Sequence, residues 1–296
     1  MTESQSSSGA ATAARQRPGI VGRELRLSAI PWWALILIAS GLVLTYLILA
    51  SPPYRETFQY LSDGVLVTLR ITLSAYLIAT VIGLLAGLAR TSKNVIPYTV
   101  STLYVETVRG VPLIVIILYV AYVILPAMAA LLRAIGSFGV GLGLGGGLGD
   151  FFAGLQGATQ RGISSELRGI VALAIGYGAY EAEVFRAGIQ SIGRGQMEAA
   201  RSLGMSYWEA MRYIILPQAI RRVLPPLGND FIACLKDSSL LTVVAVNELT
   251  QLGRLRRAST FRVFETFNVL TFLYLAMTLM LSALVRGVER RMRIEE

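Results

Sequence analysis

Apolar residues come in long blocks along this chain, separated by short polar stretches. A helix needs about 20 mostly apolar residues to cross the hydrocarbon core of a bilayer, so blocks of this length predict membrane spans. Six are expected, at about 32–50, 61–88, 102–125, 169–189, 220–243 and 267–285. The first block is longer than a secretory apolar region and lacks a small-residue cleavage site, which favours a span over a signal peptide. The fold class expected is therefore an all-α polytopic membrane protein with about six transmembrane helices.

One polar, cationic interruption stands apart. Residues 196–217 read QMEAARSLGMSYWEAMRYIILP. Gly204 tolerates the left-handed conformation that closes helices, and Ser206 with Glu209 three residues on forms a capping box for a second helix. The segment is thus expected as two short helices around a glycine, with a break or redirection at Pro217. Trp208, Met211 and Ile215 fall on one face of the second helix. Such a shape suits a groove in a partner protein. It suits an amphipathic helix on the membrane surface equally well.

The distribution of arginines sets the expected orientation. Arg15, Arg17, Arg23 and Arg26 precede the first span and place the N-terminus in the cytoplasm. Alternation then brings Arg90, Lys93, the 186–222 region and Arg286, Arg290, Arg291 and Arg293 to the same side. The loop with Arg254, Arg256, Arg257 and Arg262 falls outside, against the rule, and so is expected to have a role of its own.

Composition agrees: 54% of residues are hydrophobic and 15% charged, and mean hydropathy is +0.59. The net charge of +9 is spread over loops, which is a topology signal and not a nucleic-acid footprint. Histidine is absent, which excludes the usual zinc hydrolase and Ser-His-Asp chemistries. The single Cys234 allows no intrachain disulfide. Gly141, Gly143 and Gly146 match a dinucleotide fingerprint only formally, because no strand precedes them, and 127–167 is expected as a flexible or interface-lying external insertion. No phosphate loop occurs, so the chain is not expected to hydrolyse ATP or to bind a cofactor or metal.

Glu198-Ala199-Ala200, Gly204, Ile214 and Leu216-Pro217 reproduce the spacing EAA-x3-G-x9-I-x-LP. In this the chain resembles the permeases of binding-protein-dependent ABC importers. Arg109–Leu113 (RGVPL), 188–192 (GIQSI), 216–220 (LPQAI), 224–232 (LPPLGNDFI) and 235–240 (LKDSSL) are similar to the polar amino-acid uptake branch, and the likeness covers about 64–291. It implies a five-helix permease core at 61–296 on the inner membrane; the extra span and short external loop at 31–60 and the glycine-rich insertion depart from the family's pattern, and 1–30, rich in Ser, Ala and Thr at its start, is expected as a cytoplasmic, disordered N-terminus. The likeness implies two ATP-binding cassette subunits, which carry ATP and magnesium, a second permease subunit, an extracytoplasmic solute-binding protein and an amino-acid substrate. The segment at 190–217 would be the ATPase-coupling element, and both termini cytoplasmic. The competing reading is a standalone channel or ion-coupled secondary transporter.

Ionisable groups inside spans need partners or a wet cavity. Glu106, Arg109, Tyr177, Tyr180, Glu181, Asn229, Lys236 and Asp237 are the candidate substrate path, with Glu106 and Arg109 expected to pair along one helix face. Glu181 and Glu183 cannot share a face. Arg254, Arg256, Arg257 and Arg262 are candidates for docking the binding protein, or for contact with membrane lipid.

Overall fold

A computed structural model describes residues 32–143, 145–158 and 162–292. The expected N-terminal segment and its arginines lie outside these residues. Described helices are α1 (Trp32–Ala50), α2 (Pro52–Ala89), α3 (Val95–Arg109), α4 (Leu113–Tyr119), α5 (Leu125–Gly141), α6 (Gly147–Gln156), α7 (Ser165–Gln190), α8 (Arg194–Ser202), α9 (Tyr207–Ala210), α10 (Leu216–Asp237), α11 (Leu249–Thr260) and α12 (Val263–Met292). No strand occurs among the described residues, and the protein is an all-α polytopic membrane protein.

Four helical stretches are long and apolar enough to span: Trp32–Ala50, Pro52–Ala89, Leu113–Gly141 and Val263–Arg291. Helices α7 and α10 have the length but carry ionisable side chains such as Glu181, Glu183, Asp230 and Lys236. The chain divides into two compact units within α1, at Val43. Residues 32–43 form a helical segment with most of its large apolar side chains exposed. The second unit, from Leu44 onward, holds the core.

At the centre of that unit α2 runs parallel to α7. Contacts advance together along both helices, from Arg70 with Glu166 to Gly83 with Glu181 and Gly87 with Ala182. Small buried residues on α2 make close approaches possible: Gly83 and Gly87 lie against Glu181 and Ala182 of α7, while Gly64 and Thr68 lie against Leu249 of α11. Small side chains at three- and four-residue spacing let helix backbones come close where lipid supplies no hydrophobic drive. The main core joins Ile71, Ile117, Val120, Leu173 and Leu241, and a second cluster joins Leu61, Leu235, Leu249 and Val269.

The expected third span, 102–125, is not one helix. Helix α3 ends at Arg109, and α4 begins at Leu113 after Gly110, Val111 and Pro112. Proline has no N–H to donate and pushes the residue before it away from helical geometry, so the backbone turns here. The helix that follows runs on to Gly141, well past the expected boundary at 125.

The described residues of the glycine-rich insertion include two helices packed on each other. Helix α5 turns through Gly143 (φ +66°) and Gly146 (φ +67°) into α6, which packs back on it. A Cβ at Gly136 would lie 2.2 Å from the Gln156 nitrogen, and one at Gly139 would lie 2.1 Å from the Phe152 ring. Two glycines therefore seat the hairpin and two others turn it, which departs from the flexible half of the expectation and leaves the interface-lying half untouched.

Proline is also accommodated inside helices. Val120–Ile124 and Met211–Ile215 are π turns, and each is followed by Leu-Pro. In both, the leucine amide reaches back five residues, Leu125 to Val120 and Leu216 to Met211. The wider turn makes room for the ring of Pro126 or Pro217 without ending the helix. The break expected at Pro217 thus does not occur, and the helix continues from α9 into α10.

Candidate functional site

The segment at 196–217 forms a corner built from two complementary helix ends. Helix α8 closes with Gly204 at φ +85°. The Met205 amide donates to the Ala200 carbonyl (3.2 Å) and the Gly204 amide to that of Arg201 (3.0 Å). This six-to-one and five-to-two pairing satisfies the last carbonyls of α8. It also explains the spacing: Ala200 is the carbonyl that the turn needs four residues before its glycine.

One residue later the next helix is capped in return. The Glu209 amide donates to Ser206 Oγ (3.3 Å) while Glu209 Oε2 accepts from the Ser206 amide (2.8 Å). Both halves of the capping box are present. Those hydrogen bonds from Ser206 hold the Glu209 carboxyl below its ordinary value.

Ala200, Ala210 and Ile215 are buried, and Ile215 packs with Ile189, Ile192, Met197, Met211 and Ala219. The corner is thereby pinned to the end of α7 and the start of α10. Arg222 reinforces the seam by donating to the Ser191 carbonyl, and Gln218 by donating to Gln196 Oε1 at 3.4 Å. Leu203 and Trp208 face outward, 84% and 77% exposed, with Tyr207 between them in sequence and also exposed. Trp208 therefore does not share a face with Met211 and Ile215. The π turn that starts at Met211 adds a residue to the turn before Ile215 and so shifts Ile215 in register relative to Trp208. Glu198, Ala199, Ser206, Glu209, Leu216 and Pro217 are exposed, and Ile214 is half-buried.

At the same end of the bundle sits a charge cluster that sequence reasoning missed. Glu183 on α7 meets Arg90 of α2 (3.1 Å), Arg109 of α3 (3.9 Å) and its own neighbour Arg186. Arg90 also meets Glu106, at 2.8 Å. The expected Glu106–Arg109 pair does not form: each side chain finds a partner on another helix instead. No local signal marks this cluster, because it depends on α2 and α7 lying side by side.

The other path candidates divide. Arg109 lies over the Tyr180 ring (5.8 Å to its centroid), and Tyr180 is 6.2 Å from the Tyr177 ring. The Tyr177 hydroxyl donates to Asp237 Oδ2 at 2.7 Å. Asn229 and Lys236, seven residues apart on α10, are exposed. Glu181, by contrast, is completely buried against α2, where Thr80 and Tyr76 stand beside its carboxyl. It faces the neighbouring helix, and Glu183 faces the arginines.

Helix α11 carries Arg254, Arg256 and Arg257, and Arg262 follows its end. Arg256 and Arg262 both pair with Glu56 of α2, at 3.1 and 2.9 Å, and Arg256 also covers the Tyr60 ring. Arg254 donates to Thr242 Oγ1 at 2.9 Å. Arg257 is exposed, without an ion pair among the described residues.

Residues 79–294 match the family model described as the inner membrane component of binding-protein-dependent transport systems. The chain is 37% identical over 234 residues to the glutamine transport system permease protein of Escherichia coli (strain K12), covering 79% of this chain and 93% of the relative. It is 37% identical over 237 residues to a probable glutamine ABC transporter permease of Bacillus subtilis (strain 168), covering 80% and 95%. A crystal structure of an amino acid ABC transporter with histidines superposes with a TM-score of 0.63 at 35% identity, over 79% of this chain and 94% of that one. An inward-facing methionine ABC transporter matches in fold, with a TM-score of 0.57 at 20% identity over 80% and 97%.

Proposed function

We propose, for a chain that belongs to the family of binding-protein-dependent transport system inner membrane components and is a permease of the polar amino-acid type, that it carries an amino acid across the inner membrane by ATP-driven alternating access. The observation that carries this is the corner at Gly204. Its helix ends are satisfied internally, its inner face is pinned to α7 and α10, and its outer face offers Leu203 and Trp208 to a partner. A large apolar pair on a rigid polar element is what an interface anchor requires.

The partner in this reading is an ATP-binding cassette subunit with its own nucleotide and magnesium, two per transporter, set beneath a pair of permease chains. Closure of the ATPase pair would push the corner and favour one of two arrangements of the bundle, which requires different contacts in each. A solute-binding protein would dock outside, where Arg257 is the arginine left free for it. Both termini would lie in the cytoplasm. Glutamine and related amino acids are the first substrates to try, from the names of the relatives. Arg109 would meet the substrate carboxylate beside Tyr180, with Asp237, Lys236 and Asn229 along α10, while buried Glu181 serves packing.

The test is co-expression with the ATPase subunit. Leu203→Asp and Trp208→Ala should abolish co-purification and substrate-stimulated ATP hydrolysis while leaving thermal stability unchanged. Retention of both activities by both variants would overturn the coupling role. An uptake screen with the cognate binding protein identifies the amino acid.

A further inference from the structure

Where α10 begins and α12 finishes, the two helices border a cleft of about 410 Å³. Leu224 and Phe231 of α10, Leu284 and Val288 of α12 and Tyr76 of α2 make it apolar, and Glu289 is its acidic lining residue. The helices themselves meet closely, for a Cβ on Gly228 would lie 2.4 Å from Val285 Cγ1. The cleft opens sideways, since Leu284 and Val288 remain exposed. In a membrane protein that side faces acyl chains.

The rim is basic. Arg221 stands three residues before Leu224, and Arg291 three after Val288, so each sits one turn from a cleft residue on the same helix face. Arg222, Arg286 and Arg290 lie at the same helix ends, setting five arginines against Glu289. Arg221, Arg286, Arg290 and Arg291 are exposed and make no ion pair among the described residues.

We propose that this cleft binds one anionic phospholipid, with an acyl chain between α10 and α12 and its phosphate between Arg221 and Arg291. Cation clusters at the ends of spanning helices attract anionic head groups, and a slot between helices retains the chain. A zwitterionic lipid neutralises its own phosphate and so gains less from the rim. A peptide segment would bring unpaired backbone groups into an apolar slot, which is costly. The site does not depend on the transport reading.

Native mass spectrometry of the full-length chain, in detergent with equal phosphatidylglycerol and phosphatidylcholine, tests it. Retained phosphatidylglycerol should exceed phosphatidylcholine several-fold. Arg221→Gln with Arg291→Gln should remove that preference, and Arg133→Gln on α5, an exposed arginine away from the cleft lining, should keep it. Leu284→Trp, which narrows the slot, should reduce retention without changing the charge. In the wild type, raising the salt concentration should lower the preference, because a charged rim is screened. Equal retention of the two lipids, a preference unchanged in the double variant, or insensitivity to salt would overturn the proposal. So would a photo-cross-linker at Leu284 that captures a second protein chain in place of lipid.

Discussion

Gly83 of α2 lies so close to Glu181 of α7 that a Cβ on the glycine would fall 2.6 Å from the glutamate Cβ. No other residue fits there without moving a helix. Gly83→Leu should therefore lower the thermal stability of the purified protein by about 1–3 kcal/mol or more, through overpacking. Gly287, with nothing within 4 Å of its would-be Cβ, provides the control. Gly287→Ala should leave stability unchanged or slightly raised, and equal behaviour of the two variants would contradict the close α2–α7 seam.

Glu183 serves three arginines at once: Arg186 through two hydrogen bonds, Arg90, with only 11% of its side chain exposed, and Arg109. Glu183→Gln should cost about 1–3 kcal/mol in unfolding measurements, as expected for hydrogen bonds to charged groups. Arg109→Gln removes a pair only 3.9 Å long and more exposed, and should cost under about 1 kcal/mol. The reverse ranking would show that the cluster is not centred on Glu183.

Ser206→Ala should loosen the start of α9 by about 1 kcal/mol, as loss of an N-cap does. Hydrogen exchange at the 207–210 amides reads this directly. Acid should act in the same direction. The Glu209 carboxyl is lowered in the folded protein from an ordinary value of 4.5, so its contribution is complete above that pH and lost as pH falls through the lowered value. Slower exchange on lowering the pH from 5 to 3, after correction for intrinsic rates, would contradict the sign.

On α11 the roles of the arginines separate. Glu56→Gln should release Arg256 and Arg262 together and increase the mobility of α11, with non-additive effects in a double-mutant cycle against either arginine. Arg257→Glu should leave α11 in place and weaken binding-protein docking, more so at low salt. Equal docking for wild type and Arg257→Glu in a titration at two salt concentrations would remove Arg257 from that surface.

The corner at Gly204 was legible in the sequence because its rules are local. A glycine four residues after Ala200, and Ser206 three before Glu209, name their own hydrogen bonds. The faces around it were less legible, since a π turn at Met211–Ile215 leaves no mark in a helical period and moves Trp208 away from Ile215. Apolarity over the whole of 102–125 masked the division at Gly110–Pro112, although Glu106 and Arg109 lie before it and an unbroken apolar run follows. Distance in sequence hid the rest. Arg90 meets Glu183 and Arg262 meets Glu56 only after the helices have been placed. The small buried residues of α2 are a signal for close helix contact that the sequence reading did not use.

The turn between α5 and α6 inverts the usual expectation for a glycine-rich stretch. Gly143, Gly145 and Gly146 have open space around them, whereas Gly136 and Gly139, which look no different in sequence, lie against Gln156 and Phe152. An epitope or fluorophore grafted at the tip would thus ride on a stiff stalk and report the attitude of the bundle, not the slack of a tether.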